Sequence, residues 1–216
     1  MIIGISGKKQ SGKDLTANII QYLIFKYRYP NVSSHMLSAS RPFNITMAYP
    51  SNYMVVKFAD KLKDIVCLIL GCTREQVEDE TFKNTPLGPD WAIPFNTKHS
   101  YVYWNPRLLM QYLGTDVFRN TVCKSTWINS TMANYTPHSN WIISDVRFPG
   151  EVKAVHDKEG IVIRINRPSI ISTDQHESET ALDNYDNFDY VIENIGDIPE
   201  LIEKVRDILT LEGIIN

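Results

Sequence analysis

The chain has 216 residues, of which 43% are hydrophobic and 22% charged, values typical of a globular protein with a buried core. Its formal net charge of −3 argues against the basic surface of nucleic-acid-binding proteins, so we expect no direct binding to nucleic acid. No apolar run approaches the roughly 20 residues that a membrane span needs, and we expect no membrane association. Three cysteines without C-x-x-C spacing, and a first apolar run too short for a signal peptide, favour a cytoplasmic location.

The predicted elements of the first third alternate between strand and helix. An apolar run at 1–6 ends in glycine-rich sequence, as a buried parallel strand does. Residues 13–25 carry apolar side chains at helical spacing. A second strand is predicted at 54–59, and an amphipathic helix follows at 60–71, where Gly71 ends it.

The middle of the chain is less regular. We expect two surface excursions, one at 29–53, rich in Pro, Ser, Asn and Tyr, and one at 80–104, which has three prolines and two tryptophans. A helix is predicted at 105–113 with Pro106 in its first turn, and another within 116–135.

The last third again alternates strands with helices. The predicted strands are 141–148, 161–168 and 189–194, and the predicted helices are 150–160 and 198–213. This alternation predicts an α/β fold in one domain over 1–216, with a mostly parallel sheet covered by helices on both faces. Ligands of such sheets bind at the carboxyl ends of the strands.

The strongest motif is GKKQSGK at 7–13, which fits G-x-x-x-x-G-K between a predicted strand and a predicted helix. Its glycines allow the loop to turn so that successive N–H groups point inward. The N-terminus of the helix adds partial positive charge, and Lys13 can bridge the β- and γ-phosphates of a nucleotide. The motif therefore predicts a phosphate-binding loop.

Asp14 stands where this motif usually has serine or threonine, whose hydroxyl coordinates Mg²⁺. A carboxylate is also a good ligand for a hard cation, directly or through water. The alternative is that Asp14 is only a favourable acid in the first turn of the helix.

Two charged residues end the predicted strand WIISDVR. Asp145 is placed to meet a metal ion or an acceptor, although apolar runs that end in Asp are common. Arg147 would point the same way and could bind a phosphate, with a surface salt bridge as the alternative.

Several stretches in one order resemble the deoxynucleoside monophosphate kinases of tailed bacteriophages: GKKQSGKDLTA, RLLMQYLGTD, Trp127, ISDVRFPGE, and NRP followed by TDQHESETAL. The resemblance runs from residue 1 to about 201. It implies a three-layer fold like that of P-loop nucleoside monophosphate kinases. It also implies transfer of the γ-phosphoryl group of ATP, with Mg²⁺, to a deoxynucleoside monophosphate, in the host cytoplasm if the chain is phage-encoded.

The resemblance also implies the site residues. Lys13, Asp145 and Arg147 would be catalytic, and Asp14 would serve the metal. The ATP contacts would be Gly7, Lys9, Gln10, Ser11, Gly12, Lys13, Asp14, Leu15, Thr16 and Arg167. The acceptor contacts would be Lys63, Arg107, Gln111, Gly114, Thr115, Trp127, Asp145, Arg147 and Glu151.

Three questions stay open at the level of sequence. The segment 80–104 is shorter than in well-known members, which leaves base preference open. Residues 168–188, which include His176, could form a lid over the site or a solvated loop. Another small-molecule P-loop kinase, acting on a ribonucleotide, dephospho-coenzyme A or phosphomevalonate, would carry the same loop, and a P-loop NTPase acting on nucleic acid is a more distant alternative. A homodimer and a monomer are equally open.

Overall fold

The computed structural model describes residues 1–31, 51–94, 101–170 and 175–216. They divide into two compact units: Met1–Lys57, Tyr135–Gln175 and Glu179–Asn216 form the first, and Phe58–Asn134 and His176–Ser178 form the second. The single domain over 1–216 stays a prediction. None of the helices within the described ranges is long and apolar enough to cross a membrane.

The described residues contain strands and helices with the following bounds. The strands are β1 (Ile2–Gly7), β2 (Tyr53–Val56), β3 (Ala92–Pro94), β4 (Tyr101–Tyr103), β5 (Asn140–Val146), β6 (Ile161–Asn166) and β7 (Tyr190–Glu193). The helices are α1 (Lys13–Arg28), α2 (Asp60–Leu70), α3 (Arg74–Glu78), α4 (Glu80–Asn84), α5 (Pro106–Gln111), α6 (Thr126–Met132), α7 (Pro149–His156), α8 (Glu177–Thr180) and α9 (Ile198–Leu211). A 3₁₀ turn (Pro89–Trp91) and a π-helix (Tyr112–Val122) complete them.

The first unit is built on a five-stranded sheet with the order β2-β5-β1-β6-β7, in which every pair of neighbours is parallel. The central strand β1 is buried on both faces. Ile3 and Ile5 belong to one apolar cluster with side chains of α1 and α9. A Cβ at Gly4 would instead lie 3.4 Å from a methyl group of Val155 in α7. Helices therefore cover both faces of a parallel sheet, which confirms the predicted fold class.

The second unit contains short helices with polar caps and the antiparallel hairpin β3–β4. Thr73 and Gln76 form a capping box at the start of α3, which satisfies two backbone N–H groups. At the start of α5, the side chain of Asn105 accepts a hydrogen bond of 2.8 Å from the N–H of Leu108, and Pro106 occupies the first turn as predicted.

The structure departs from the predicted bounds in the middle of the chain. The helix expected within 116–135 is two elements, the π-helix and α6, because the backbone becomes extended at Cys123. The stretch 80–104 is not wholly irregular, since it includes α4 and the hairpin. Residues 32–50, 95–100 and 171–174, parts of the two predicted excursions and of the predicted lid, lie outside the described residues.

Candidate active site

The loop between β1 and α1, residues 7–13, is called the phosphate loop below. Gly12, which precedes α1, has φ 107°, and Gln10 has φ 62°, both in the region that disfavours side chains. A Cβ at Gly7 would collide with Ser11 Oγ and would lie 2.6 Å from the carbonyl oxygen of Ile165. The two motif glycines are thus needed because the chain turns sharply and neighbouring atoms approach closely.

Asn194, the residue directly after β7, forms a hydrogen bond with the phosphate loop. Its Nδ2 donates a hydrogen bond of 2.8 Å to the carbonyl oxygen of Ser11, and a Cβ at Gly12 would lie only 2.7 Å from that nitrogen. Sequence reasoning missed this residue. The available signal was its place, a polar residue directly after an apolar strand at the carboxyl edge of the sheet.

The ammonium group of Lys13 folds back over the beginning of the phosphate loop. Its Nζ donates hydrogen bonds to the carbonyl oxygens of Gly7 (2.7 Å) and Lys8 (2.6 Å), and the residue is only 9% exposed. Burial, together with the positive charge of Arg147, lowers the pKa of Lys13 to about 8. The carboxylates of Glu179, Asp14 and Asp145 offset this lowering only in part, and a phosphate bound in the loop would add further negative charge beside the ammonium.

Asp145 and Arg147 lie at the carboxyl end of β5, beside β1 in the same sheet. Asp145 is 8% exposed, and its carboxylate raises the pKa of both Arg147 and Lys13. The buried carboxylate of Glu151 accepts hydrogen bonds from the backbone N–H groups of Arg147 (2.7 Å) and Phe148 (3.2 Å). Glu151 therefore fixes the backbone from which the guanidinium of Arg147 projects.

The carboxylate of Glu179 bridges Arg147 and the phosphate loop. One oxygen accepts a hydrogen bond from Nη1 of Arg147, and the other accepts one of 3.2 Å from the backbone N–H of Lys9. Burial by itself lowers the pKa of Arg147, but the carboxylates of Glu179, Asp145 and Glu151 outweigh it and raise that pKa above its ordinary value.

Two further ion pairs lie at the phosphate loop and at the start of α1. Nζ of Lys8 is 2.6 Å from a carboxylate oxygen of Asp183, four residues after Glu179. Nζ of Lys57, directly after β2, is 2.8 Å from Oδ1 of Asp14, whose side chain is 63% exposed. The carboxylate of Asp14 thus faces a cation and remains open to solvent.

The other predicted ATP contacts also belong to the first unit. Thr16 is buried in the first turns of α1, and its Oγ1 donates a hydrogen bond of 3.0 Å to the carbonyl oxygen of Gly12. Leu15 packs at the edge of the apolar cluster. Arg167 is exposed directly after β6, at the same carboxyl edge of the sheet as the phosphate loop.

Six of the predicted acceptor contacts belong to the second unit. Lys63 pairs with Glu78 at 2.6 Å, and Nη2 of Arg107 is 2.7 Å from Glu80. Nε1 of the buried Trp127 donates a hydrogen bond of 2.8 Å to the carbonyl oxygen of Gly114. The other two are Gln111, at the end of α5, and Thr115, which is buried in the π-helix.

The basic groups of Lys63 and Arg107 are therefore paired with carboxylates, as are those of Lys8, Lys57 and Arg147 near the phosphate loop. The ring of Trp127 also packs edge-on against Phe118, with 5.2 Å between ring centroids. Trp127 is therefore part of the core of the second unit.

Comparison with known proteins identifies the family. The family model for deoxynucleotide monophosphate kinase matches residues 90–205. The deoxynucleotide monophosphate kinase of Enterobacteria phage T4 is 33% identical over 96% of this chain and 98% of that protein. The deoxynucleotide monophosphate kinase of Escherichia phage RB69 is 32% identical over 49% of this chain and 45% of that protein.

A protein of Acanthamoeba polyphaga mimivirus that carries the same description provisionally is 32% identical over 46% of this chain. The chain spans 58% of the mimivirus relative and 45% of the RB69 relative, but nearly the whole of the T4 relative. The chain therefore belongs to the deoxynucleotide monophosphate kinase family.

Proposed function

We propose that this chain transfers the γ-phosphoryl group of ATP to the phosphate of a deoxynucleoside monophosphate, giving ADP and a deoxynucleoside diphosphate. The observation that carries the proposal is the grouping of the phosphate loop, Lys13 and Arg147 at the carboxyl edge of one parallel sheet. The two cations are close enough that Arg147 helps to lower the pKa of Lys13. An enzyme that handles two phosphate groups needs such a pair of cations.

The donor triphosphate fits the phosphate loop. A Cβ would not fit at Gly7 or Gly12, so no side chain covers the backbone where phosphate oxygens would approach. The buried Oγ of Ser11 has no hydrogen-bond partner among the described residues, and a phosphate oxygen could accept its hydrogen bond. Lys13 would leave the carbonyl oxygens that it now contacts and neutralise the β- and γ-phosphates. Arg167 is our candidate for a contact near the donor base.

The residues also fit Mg²⁺. The described residues include no group of three or more His, Cys, Asp or Glu side chains that could hold a metal ion alone. Mg²⁺ in kinases does not need one, because it is held by one or two carboxylates together with phosphate oxygens and water. Asp14 and Asp145 would supply the carboxylates. The ion, when bound with ATP, would neutralise charge that develops on the phosphates.

For the acceptor, we assign its phosphate to the guanidinium of Arg147, whose planar fork can form two parallel hydrogen bonds. Glu151 would position this arginine through its backbone N–H. The family resemblance implies six further acceptor contacts, which we propose as well: Lys63, Arg107, Gln111, Gly114, Thr115 and Trp127.

The proposed reaction needs no covalent intermediate. An oxygen of the acceptor phosphate attacks the γ-phosphorus, and the bond from that phosphorus to the β–γ bridging oxygen breaks, so that ADP leaves with the electron pair. Protein groups hold the two phosphates in line and balance their charge, which is the main contribution of the protein in phosphoryl transfer. The proposed location, the cytoplasm, supplies both ATP and Mg²⁺.

The test is ADP release from ATP and Mg²⁺, measured with each of the four common deoxynucleoside monophosphates and the matching ribonucleotides. At least one deoxynucleotide should stimulate release far above ATP alone, and Lys13→Ala should reduce this rate by roughly 100-fold or more. Lys153→Ala, which removes a lysine from the exposed face of α7, is the matched control and should keep the rate. Stimulation only by ribonucleotides, or a Lys13→Ala variant that keeps more than about a tenth of the rate, would contradict the proposal.

A further inference from the structure

Glu179 places a carboxylate where the proposed function expects phosphate. Its side chain is 7% exposed, and its two oxygens accept hydrogen bonds from Arg147 Nη1 and from the backbone N–H of Lys9. The second donor belongs to the phosphate loop, whose N–H groups bind phosphate oxygens in proteins of this kind. The first is the group that we assign to the acceptor phosphate. The carboxylate of Glu179 is therefore hydrogen-bonded at the same time to a group of the ATP site and to a group of the acceptor site.

We infer that Glu179 is a specificity-determining residue that stands in for phosphate until the substrates bind, and that its displacement couples the binding of ATP to the binding of the acceptor. The inference rests on the proposed function, because that function assigns Arg147 to the acceptor. A carboxylate and a phosphate cannot both accept the same N–H hydrogen, so a ligand that takes either N–H held by Glu179 competes with that carboxylate.

The competition has a measurable energetic consequence. A carboxylate that is only 7% exposed holds a guanidinium by a strong, charge-assisted hydrogen bond, so removing Glu179 from both donors weakens the binding of whichever ligand arrives first. The second ligand finds its donor already released and does not bear that cost again. Thermodynamic linkage then requires each ligand to tighten the binding of the other by the same factor. Coupling of about tenfold is within the range usual for two linked sites.

This coupling would favour the productive pair of substrates. A single anion, such as inorganic phosphate or a lone nucleotide, gains only one of the two donors while it displaces a carboxylate that held both. ATP and the acceptor together gain both. Glu179 therefore discriminates against partial occupancy, which would limit the transfer of the phosphoryl group to water when the acceptor is absent.

A different role for Glu179 predicts the opposite result. If its carboxylate held Arg147 in place while the acceptor is bound, then its removal would weaken acceptor binding. The stand-in role predicts tighter binding of each ligand alone, so the two roles differ in the sign of the effect.

The experiment is titration calorimetry with β,γ-methylene-ATP and Mg²⁺, and with the deoxynucleoside monophosphate that gives the highest turnover, each alone and each in the presence of the other. In the unaltered protein, each ligand should tighten the other about tenfold. In Glu179→Gln, which keeps the shape of the side chain and removes its charge, each ligand alone should bind roughly tenfold more tightly and the coupling factor should fall towards one. Glu179→Ala should behave in the same way.

Asp183→Asn is the matched control. Asp183 lies four residues further along and contacts Lys8 of the same loop, but it does not share the hydrogen bonds of Glu179. This variant should keep the coupling. Equal loss of coupling in Asp183→Asn, weaker acceptor binding in Glu179→Gln, or a coupling factor near one in the unaltered protein would each overturn the inference. If no deoxynucleotide is phosphorylated, the proposed function itself fails; turnover without coupling defeats only the role of Glu179.

Discussion

The depressed pKa of Lys13 predicts how the use of ATP depends on pH. Burial and Arg147 lower this pKa to about 8, so the ammonium form dominates below pH 8 and the neutral amine above it. Only the ammonium form can neutralise the β- and γ-phosphates. At pH 9 about a tenth of the protein would carry the charge, and kcat/KM for ATP should fall about tenfold for each further pH unit.

The assay is kcat/KM for ATP between pH 7 and 10 with saturating acceptor and Mg²⁺, because this parameter reports groups that titrate in the protein before ATP binds. Lys13→Arg is the control: a guanidinium stays charged throughout this range, so the remaining activity of the variant should lose the alkaline fall. A level profile up to pH 9.5 in the unaltered protein would refute the reasoning. The same fall in Lys13→Arg would assign the titration to another group.

Three further predictions concern the metal, the acceptor and the loop. Asp14→Ala should raise the Mg²⁺ concentration that gives the half-maximal rate, and Asp14→Ser should bring this concentration part of the way back. Lys57→Met should lower the same concentration, because it releases the carboxylate of Asp14. An unchanged metal dependence would mean that Asp14 is only an acid in the first turn of the helix. Arg147→Ala should weaken the binding of the acceptor by about 2–4 kcal/mol and the binding of ATP far less, and Arg147→Lys should have an intermediate effect. An equal rise in the KM values of both substrates would assign Arg147 to the donor site. Gly12→Ala should lower the free energy of unfolding in urea by about 1–2 kcal/mol, because a Cβ at that φ is strained and crowds Asn194, and an unchanged midpoint would refute this.

The central strands β1 and β5 could be predicted because they are buried on both faces. The runs around Ile2–Gly7 and Asn140–Val146 are nearly continuous apolar sequence, and such runs have few other places in a folded chain. The motif glycines and Lys13 could be predicted because backbone geometry and charge fix their residue types. The ends of three strands were misplaced, since the predicted strands 54–59, 141–148 and 161–168 continue beyond the observed ends at Val56, Val146 and Asn166.

The partners of the loop could not be predicted in the same way. Glu179 lies in the polar stretch TDQHESET, where no periodicity distinguishes one carboxylate from another, and sequence reasoning singled out His176 instead. The structure has His176 bonded to the hydroxyl of Ser178, a local contact, whereas Glu179 contacts a residue 170 positions away. The π-helix Tyr112–Val122 also could not be predicted from the sequence, because a widened helical turn depends on the packing around it and not on a residue pattern.

The charges around the phosphate loop indicate how a chain with a net charge of −3 could bind the two anionic nucleotides of the proposed reaction. Three of the cations there are already matched by carboxylates: Lys8 by Asp183, Arg147 by Glu179 and Lys57 by Asp14. Binding of phosphate to Arg147 and to the backbone N–H of Lys9 is then an exchange of one anion for another. Such a site attracts anions weakly from a distance, because opposed charges lie close together, and selects at contact, where a ligand must replace the carboxylate of Glu179 with phosphate oxygens in the right place.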